Sequence, residues 1–436
     1  MSGGRTIFAP ATARGRAGVA IVRVSGPMAG PSLQALVGTI PTPRAARFAA
    51  LDDPATGEAI DRGLVLWFPG PASFTGEDVA EFHVHGGPAV VAALLAALGQ
   101  IEDCRLAEPG EFSRRAFLNG KLDLTQVEGL GDLIEAETAA QRRQALGQME
   151  GGFARIAEAW ARDLTRTLAH VEAAIDFPDE DLPDDLLGPA RVVAERLERE
   201  IRGRLADGRR GEILRDGLSV ALIGPPNSGK SSLMNALAGR DAAIVSAQAG
   251  TTRDVIEVHL DLGGYPVILA DTAGIREGAD PIEAEGIRRA RARAEAADLR
   301  LLVLDAAAPD SLAAFSTLRD GATLLVWNKV DLAPVPAEGL AVSATSGEGL
   351  GALVNALEAR AEGLLAGGDA PIVTRERHRA ALEECVACLA RAIAAHDPAL
   401  VGEDLRLAVR ALGRITGGVD VEDLLDVIFR DFCIGK

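Results

Sequence analysis

Gly224-Pro-Pro-Asn-Ser-Gly-Lys-Ser231 follows the apolar run Leu218 to Ile223 and precedes a helical pattern over Ser232 to Leu237. The stretch reads G-x-x-x-x-G-K-[ST]. A strand that feeds a tight loop and then a helix points several backbone N–H groups, and the positive end of the helix, at a single spot. Such a spot suits a polyphosphate. In this reading Asn227, Ser228, Gly229, Lys230, Ser231 and Ser232 form the cradle. Lys230 reaches the β- and γ-phosphates as the catalytic cation, and the Ser231 hydroxyl ligates Mg²⁺. Average composition alone produces such a match in roughly a few chains in a hundred of this length, so the loop needs company.

Four further signals supply it, three of them at the end of a predicted strand. Val267 to Ala270 leads into Asp271-Thr272-Ala273-Gly274, where the carboxylate would hold Mg²⁺ through water and the Gly274 N–H would face the γ-phosphate. Leu324 to Trp327 leads into Asn328-Lys329-Val330-Asp331. A carboxylate at Asp331 accepts from both the ring N–H and the exocyclic amino group of guanine, and adenine offers neither at that edge. Leu340 to Val342 leads into Ser343-Ala344-Thr345, whose backbone closes over the guanine O6. Between the phosphate loop and Asp271, Gly250-Thr251-Thr252-Arg253-Asp254 offers the Thr252 hydroxyl to complete Mg²⁺ coordination. Five signals in this order, placed where an α/β sheet keeps its ligand crevice, read as a GTP-binding module. Asn328 and Asp331 argue against an ATP-binding reading.

One position departs from the common pattern. In many small GTPases a Gln that orients the attacking water follows D-T-A-G, and here the residue is Ile275. A hydrocarbon orients no water. Glu277, Glu283 and Glu285 lie in the segment that follows, and Arg253 and Arg276 are in-chain candidates for the positive charge an arginine finger would supply.

The 436 residues have room for two to four domains. Sixty-three acidic against 45 basic residues give a net charge of −18, so a nucleic acid must meet a local basic patch or a partner protein. Four cysteines in so long a chain make no disulfide framework. The start, Met1 to Pro10, lacks a charged-then-apolar signal, and the longest apolar run, Ala89 to Leu98, is too short to span a bilayer. A soluble, cytoplasmic protein without a membrane partner is the expectation.

From Thr6 to Asn119 the text is strand-like and rich in turns, with strands over Gly18 to Val24, Leu64 to Phe68 and Val79 to Val84 and an alanine-rich helix after His85-Gly-Gly-Pro88. This reads as a compact α+β domain. Arg23, Glu81 and Lys121 stand out there, although each taken alone reads as a solvated strand edge or turn. His83 and His85 alternate on one strand face, with no carboxylate or thiol at ligand spacing, so a metal site is set aside. Beyond Leu122 the periodicity becomes helical. Leu146, Met149, Phe153, Ile156, Trp160, Leu164, Leu168, Val171 and Ile175 predict one long amphipathic helix, followed by a charged helix over Ala190 to Ala206. After the nucleotide module, helices are predicted over His378 to His396, Gly402 to Ile415 and Asp420 to Phe429. Three helices are a short set for a core of their own, so the economical arrangement closes them on the earlier helices and makes the nucleotide module an insertion. The expected divisions are 1–119, 120–214, 215–366 and 367–436, the third of them a Ras-like P-loop GTPase module.

These residues also carry a likeness. The sequence resembles the tRNA uridine-34 modification GTPase family known as MnmE or TrmE. It does so through Gly15-Arg-Ala-Gly-Val-Ala-Ile-Val-Arg23, Ser73-Phe-Thr-Gly-Glu-Asp78, Pro109-Gly-Glu-Phe-Ser113, Ala174-Ile-Asp-Phe-Pro-Asp179 and the ending Phe432-Cys-Ile-Gly-Lys436, besides the GTPase signals. The resemblance implies a homodimer built through the amino-terminal domains with a pocket for a tetrahydrofolate derivative, 5-formyl or 5,10-methylene, at that interface. Arg23, Glu81, Lys121 and Lys436 would line it, which gives three unexplained charges one purpose. The resemblance further implies activation by K⁺ at Asn227, Ser246, Gln248 and Thr251, with Ala247, Ala249 and Gly250 also along the nucleotide. Glu283 matches the water-orienting glutamate, and Cys433 the terminal cysteine. An FAD-containing partner of the MnmG (GidA) type would complete a heterotetramer that installs an aminomethyl-type group, or a 5-carboxymethylaminomethyl group, on the wobble uridine of tRNA. A different reading stays open: a regulatory GTP switch without folate chemistry, in which the amino-terminal domain and Lys436 have structural roles only. Cys433-Ile-Gly-Lys436 is no prenylation box, because Gly435 is not aliphatic. Cys385-Val-Ala-Cys388 reads as buried small residues on a helix rather than a redox or zinc pair.

Overall fold

The computed structural model describes residues 4–176, 187–207, 209–240, 243–244, 257–271, 295–335, 338–367 and 373–419, with 425, 428, 429, 432 and 435 near the end. Contacts gather the chain into two units. The first is Met1–Gly131 with Ala154–Arg162 and Val409–Lys436, and the second is Asp132–Phe153 with Asp163–Ala408.

In the first unit, alternation of apolar and polar residues builds a sheet with one covered face. Strands β1 (Thr6–Pro10), β2 (Ala17–Ser25), β3 (Arg47–Asp52), β4 (Ala59–Phe68), β5 (Val79–Gly86) and β6 (Cys104–Leu106) lie in the order β3-β4-β5-β2-β1-β6. All pairs are antiparallel except β1 with β6. Helices α1 (Ala29–Val37) and α2 (Pro88–Gly99) cover one face. Ala20, Val22 and Val24 of β2, and Ala80, Phe82 and Val84 of β5, enter a core with Leu33, Leu36, Leu94 and Leu98. Period two then sends Arg23, Glu81 and His83 to the other face. Register places Arg23 directly opposite Glu81. The three predicted strands lie within β2, β4 and β5. The sequence reading did not single out β3, an edge strand in which only Leu51 is buried.

Helices α3 (Glu111–Leu118) and α4 (Leu124–Glu135) follow. Leu124 and Val127 pack with Leu425 and Phe429 from the end of the chain, flanked by Phe117 and Phe432. Of the predicted final helix only Leu425, Ile428 and Phe429 are described, all helical; the rest lies outside the described residues. Gly435 is buried against β1 at φ 102°, and a Cβ there would lie 1.9 Å from the Pro10 carbonyl oxygen, so only glycine fits.

The second unit contains α5 (Ala139–Met149), α7 (Leu187–Leu205), α8 (Arg210–Asp216) and most of α6 (Gly152–Asp176). The predicted single helix from Leu146 to Ile175 is therefore two helices. Gly151, at φ 78°, takes the left-handed conformation and ends the first, while Met149 and Phe153 keep a four-residue step across the break. Periodicity is blind to such a break. Strands β7 (Leu218–Ile223), β8 (Glu257–Leu262), β9 (Tyr265–Asp271), β10 (Leu299–Asp305), β11 (Thr323–Asn328) and β12 (Leu340–Ala341) form a sheet of order β12-β11-β10-β7-β9-β8, parallel except for β8. Within it, β7 and β10 are buried almost throughout, as expected for strands covered on both faces. Helices α9 (Lys230–Ala238) and α10 (Leu350–Leu365) pack on the sheet, and α11 (Glu376–Ala394) and α12 (Pro398–Thr416) come after it.

The inserted position of the sheet module is visible in its junctions. Arg191 of α7 donates from Nε to the Ile393 carbonyl at 3.0 Å, and Arg379 of α11 donates to the Leu205 carbonyl at 3.1 Å, so helices before and after the module lie together. Gln144 of α5 donates to the Gly211 carbonyl at 3.0 Å, on the way in. Thr374, on the way out, donates to Gln148 Oε1 at 2.8 Å. Asp132 accepts from Arg215 at 3.1 Å and from Arg375 at 2.6 Å, one residue from each junction.

Candidate functional site

The phosphate loop runs from the end of β7 to the start of α9. Gly229, at φ 88°, caps the helix, and a Cβ on it would sit 2.2 Å from Asn328 Nδ2, so the loop closes only with glycine there. Lys230 is buried, and its Nζ donates to the carbonyls of Gly224 at 3.0 Å and Pro225 at 2.9 Å. An anionic phosphate oxygen would be the stronger acceptor for the same ammonium. Ser231 and Ser232 are exposed in the first turn of α9, and Asn227 is exposed at the lip of the loop. The Ser228 hydroxyl is buried and has no hydrogen-bond partner among the described residues.

The ends of β11 and β12 are brought to this loop by one side chain. Asn328, 1% exposed, donates from Nδ2 to the Ser228 carbonyl at 2.9 Å, and its Oδ1 accepts from the Ala344 N–H at 3.1 Å. A single amide thus spaces the phosphate loop from the Ser343-Ala344-Thr345 turn. Lys329 donates to the Asn227 carbonyl at 2.7 Å and pairs with Asp305 at 2.7 Å. The hydrogen bond from Lys329 holds the Asp305 carboxyl below the ordinary 3.8. Asp331 is exposed, and its carboxylate has no partner among the described residues. It is free to accept from a base edge. Ser343 is buried, with its Oγ accepting from the Ser346 N–H at 3.1 Å.

The structure therefore brings together Asn227, Ser228, Gly229, Lys230, Asn328, Lys329, Asp331 and Ala344, and adds Asp305, which the sequence reading missed. The missed signal is the apolar run Leu299 to Leu304 ending in an acid, the mark of another strand terminus at the crevice. Asp271 ends β9. Ser246, Ala247, Gln248, Ala249, Gly250, Thr251, Thr252, Thr272, Ala273, Gly274 and Glu283 lie outside the described residues, as do Cys433 and Lys436.

A second site lies in the first unit. A cavity of about 440 Å³ is lined by Arg23, Arg44, Phe68, Phe74, Glu81 and Lys121, among others. Arg23 donates from Nε to Glu81 Oε1 at 3.0 Å and lies 5.3 Å from the Phe74 ring centroid. His83 meets the other Glu81 oxygen at 3.1 Å. Lys121 Nζ donates to the Pro71 carbonyl at 3.1 Å, so three predicted residues share one cavity. Carboxylates do reach both histidines, contrary to the sequence reading. Besides Glu81 on His83, Asp61 lies 2.9 Å from His85 Nδ1, a cross-strand neighbour that spacing along one strand cannot show. No group of three metal-ligating residues forms among the described residues. Elsewhere in the first unit, Arg115 joins Glu77 at 2.9 Å to Glu111 at 3.0 Å, and Arg105 pairs with Glu111 at 2.6 Å. Burial pushes the Glu111 carboxyl up, but the hydrogen bonds from Arg105, the Glu108 N–H and Arg115 outweigh it and hold the group below the ordinary value. In the second unit Cys385 and Cys388 are buried in α11, and burial pushes the Cys385 thiol up to about 12, which leaves it protonated and unreactive.

With both sites in view, comparison with known proteins is informative. Residues 6–121 match the family described as "GTP-binding protein TrmE N-terminus", and residues 124–433 match "MnmE helical domain". The chain is 59% identical over 437 residues to the tRNA modification GTPase MnmE of Parvibaculum lavamentivorans, covering 99% of this chain and 100% of that one. It is 58% identical to the protein of that name from Paramagnetospirillum magneticum and 57% identical to that from Rhodospirillum rubrum, each with 99% of both chains covered. No described helix is long and apolar enough to cross a membrane.

Proposed function

The chain belongs to the MnmE family of tRNA modification GTPases, and from this premise we propose that it binds and hydrolyses GTP in the modification of the wobble uridine of tRNA. The observation that carries the reading is the Asn328 amide. It holds the phosphate loop and the Ala344 turn in one fixed relation and leaves Asp331 free for the guanine edge.

Within this proposal the phosphate loop N–H groups and Lys230 take the β- and γ-phosphates, while Lys329 steadies the loop through the Asn227 carbonyl. The exposed Ser231 hydroxyl suits Mg²⁺, with Thr252 as the second hydroxyl and Asp271 acting through water. Bound Mg²⁺ and K⁺ would supply neutralisation of phosphate charge, the K⁺ among Asn227, Ser246, Gln248 and Thr251. Ser246 through Gly250, with Thr272, Ala273 and Gly274, would run along the nucleotide, and Glu283 would orient the water that Ile275 cannot. In the first unit the Arg23–Glu81 pair beside Phe74 suits a pterin head, a planar ring with donors for a carboxylate. A tetrahydrofolate derivative bound there would supply a one-carbon unit. Gly435 is fixed against Pro10, next in register to the Ala9–Arg23 pair, which supports Lys436 as a fourth folate ligand. The chain would act as a homodimer with an FAD-containing partner of the MnmG type in the cytoplasm, and Cys433 is kept as a candidate for chemistry.

The test is turnover of purified protein. GTP hydrolysis is expected to be faster in K⁺ than in Na⁺ at equal ionic strength, and Glu283→Ala is expected to bind GTP yet lose hydrolysis. Equal rates in the two salts remove the K⁺ role, and ATP competing with GTP at equal concentration removes the guanine reading.

A further inference from the structure

Two cations that line the first unit's cavity have no carboxylate partner among the described residues, in a chain whose net charge is −18. On the same cavity lining Arg23 is matched by Glu81, and elsewhere in the unit Arg115 and Arg105 are matched by Glu77 and Glu111. Arg44 and Lys121, both exposed, instead spend their donors on the neighbouring carbonyls of Ala72 and Pro71. Those adjacent carbonyls bring the two cationic heads to one edge of the cavity. Arg44 is also an unusual residue for its backbone. It stands at φ 63°, a region few residues other than glycine and asparagine adopt, and its N–H is fixed to the Trp67 carbonyl at 2.8 Å. If the position served only to turn the chain, glycine would do so at less cost. Its guanidinium lies 5.9 Å from the Phe68 ring centroid, which restricts the side chain over the opening.

We propose that Arg44 is a specificity-determining residue that, together with Lys121, takes the dicarboxylate tail of the ligand whose planar head meets Arg23 and Glu81. The inference rests on the folate reading of this cavity. Arg44 forms charge-assisted hydrogen bonds with the tail, so its removal discriminates between ligands with and without that tail.

Calorimetry on the full-length protein compares 5-formyltetrahydrofolate with the carboxamide of 5-formyltetrahydropteroate, which keeps the head, the aminobenzoyl ring and its amide but carries no carboxylate. Arg44→Gly, which the backbone conformation favours, is expected to weaken folate binding about tenfold or more and to leave carboxamide binding within about twofold of wild type. Arg23→Ala is expected to weaken both. Should Arg44→Gly fail to fold, Arg44→Gln, which removes the charge and keeps a polar side chain, must show the same selective loss. Unchanged folate affinity, or an equal loss for both ligands, overturns the inference while the folate reading stands. Absence of binding of either ligand to the wild type removes the folate reading, and this inference with it.

Discussion

Replacing Asn328 by alanine should uncouple the two halves of the nucleotide site. The amide is 1% exposed and makes two hydrogen bonds, 2.9 Å to the Ser228 carbonyl and 3.1 Å from the Ala344 N–H. Truncation leaves both backbone groups without their partner, at about 1–3 kcal/mol each for a buried group. The lost amide volume admits water to one of them, and the two losses share a side chain and do not simply add. A net loss of about 3 kcal/mol follows, which is close to a hundredfold in guanine nucleotide affinity if the loop must be reordered on binding. Asn328→Asp should be worse than its shape implies, because one oxygen still accepts from Ala344 while the other faces the Ser228 carbonyl and repels it. Fluorescent GDP titration of wild type, Asn328→Ala and Asn328→Asp, with urea denaturation of each, measures both effects. Wild-type affinity in a folded Asn328→Ala protein would refute the view that this amide sets the site.

Three further expectations follow from named contacts. Asp331→Asn exchanges an acceptor for a donor at the base edge, so GTP affinity should fall roughly 10- to 100-fold and a xanthine nucleotide, which has a carbonyl in place of the guanine amino group, should gain; competition titration reads both. Glu212 is buried between Arg209 and Arg379, and although burial raises its carboxyl, hydrogen bonds from the two arginines hold it below 4.5. Its contribution is fully present above pH 4.5 and fades as the pH falls through the depressed value, so Glu212→Gln should lose about 2 kcal/mol at pH 7 and progressively less in acid, by urea titration across pH. A constant difference would show that the charge is irrelevant. Gly435→Ala puts a Cβ 1.9 Å from the Pro10 carbonyl oxygen, and the released tail should be trimmed faster by carboxypeptidase than that of wild type; equal trimming would show that the tail is not held there.

Much of this molecule was legible because the informative signals are local. A strand, a loop of small residues and a helix start are neighbours in the chain, and so Gly224 to Ser231 declared the strand-loop-helix unit that is proposed to take the phosphates. The strand ends carrying Asn328, Lys329 and Asp331 were readable for the same reason, as was the alternation over Val79 to Val84 that separates Glu81 from Ala80 and Phe82. Tertiary structure decided whatever depends on register or on close approach of distant segments. Arg23 and Glu81 are 58 residues apart and become a pair only because β2 and β5 align them; a slip of one residue would put them on opposite faces. Lys329 found Asp305, Arg44 found the rim occupied by Lys121, and Gly435 came to rest on Pro10 by the same kind of long-range packing. The break at Gly151 was hidden because hydrophobic spacing survives a turn that preserves the four-residue step. Neighbouring residues dictate backbone conformation through sterics that act within a few bonds, whereas the partner of a charged side chain is selected by whichever strands and helices the core brings together.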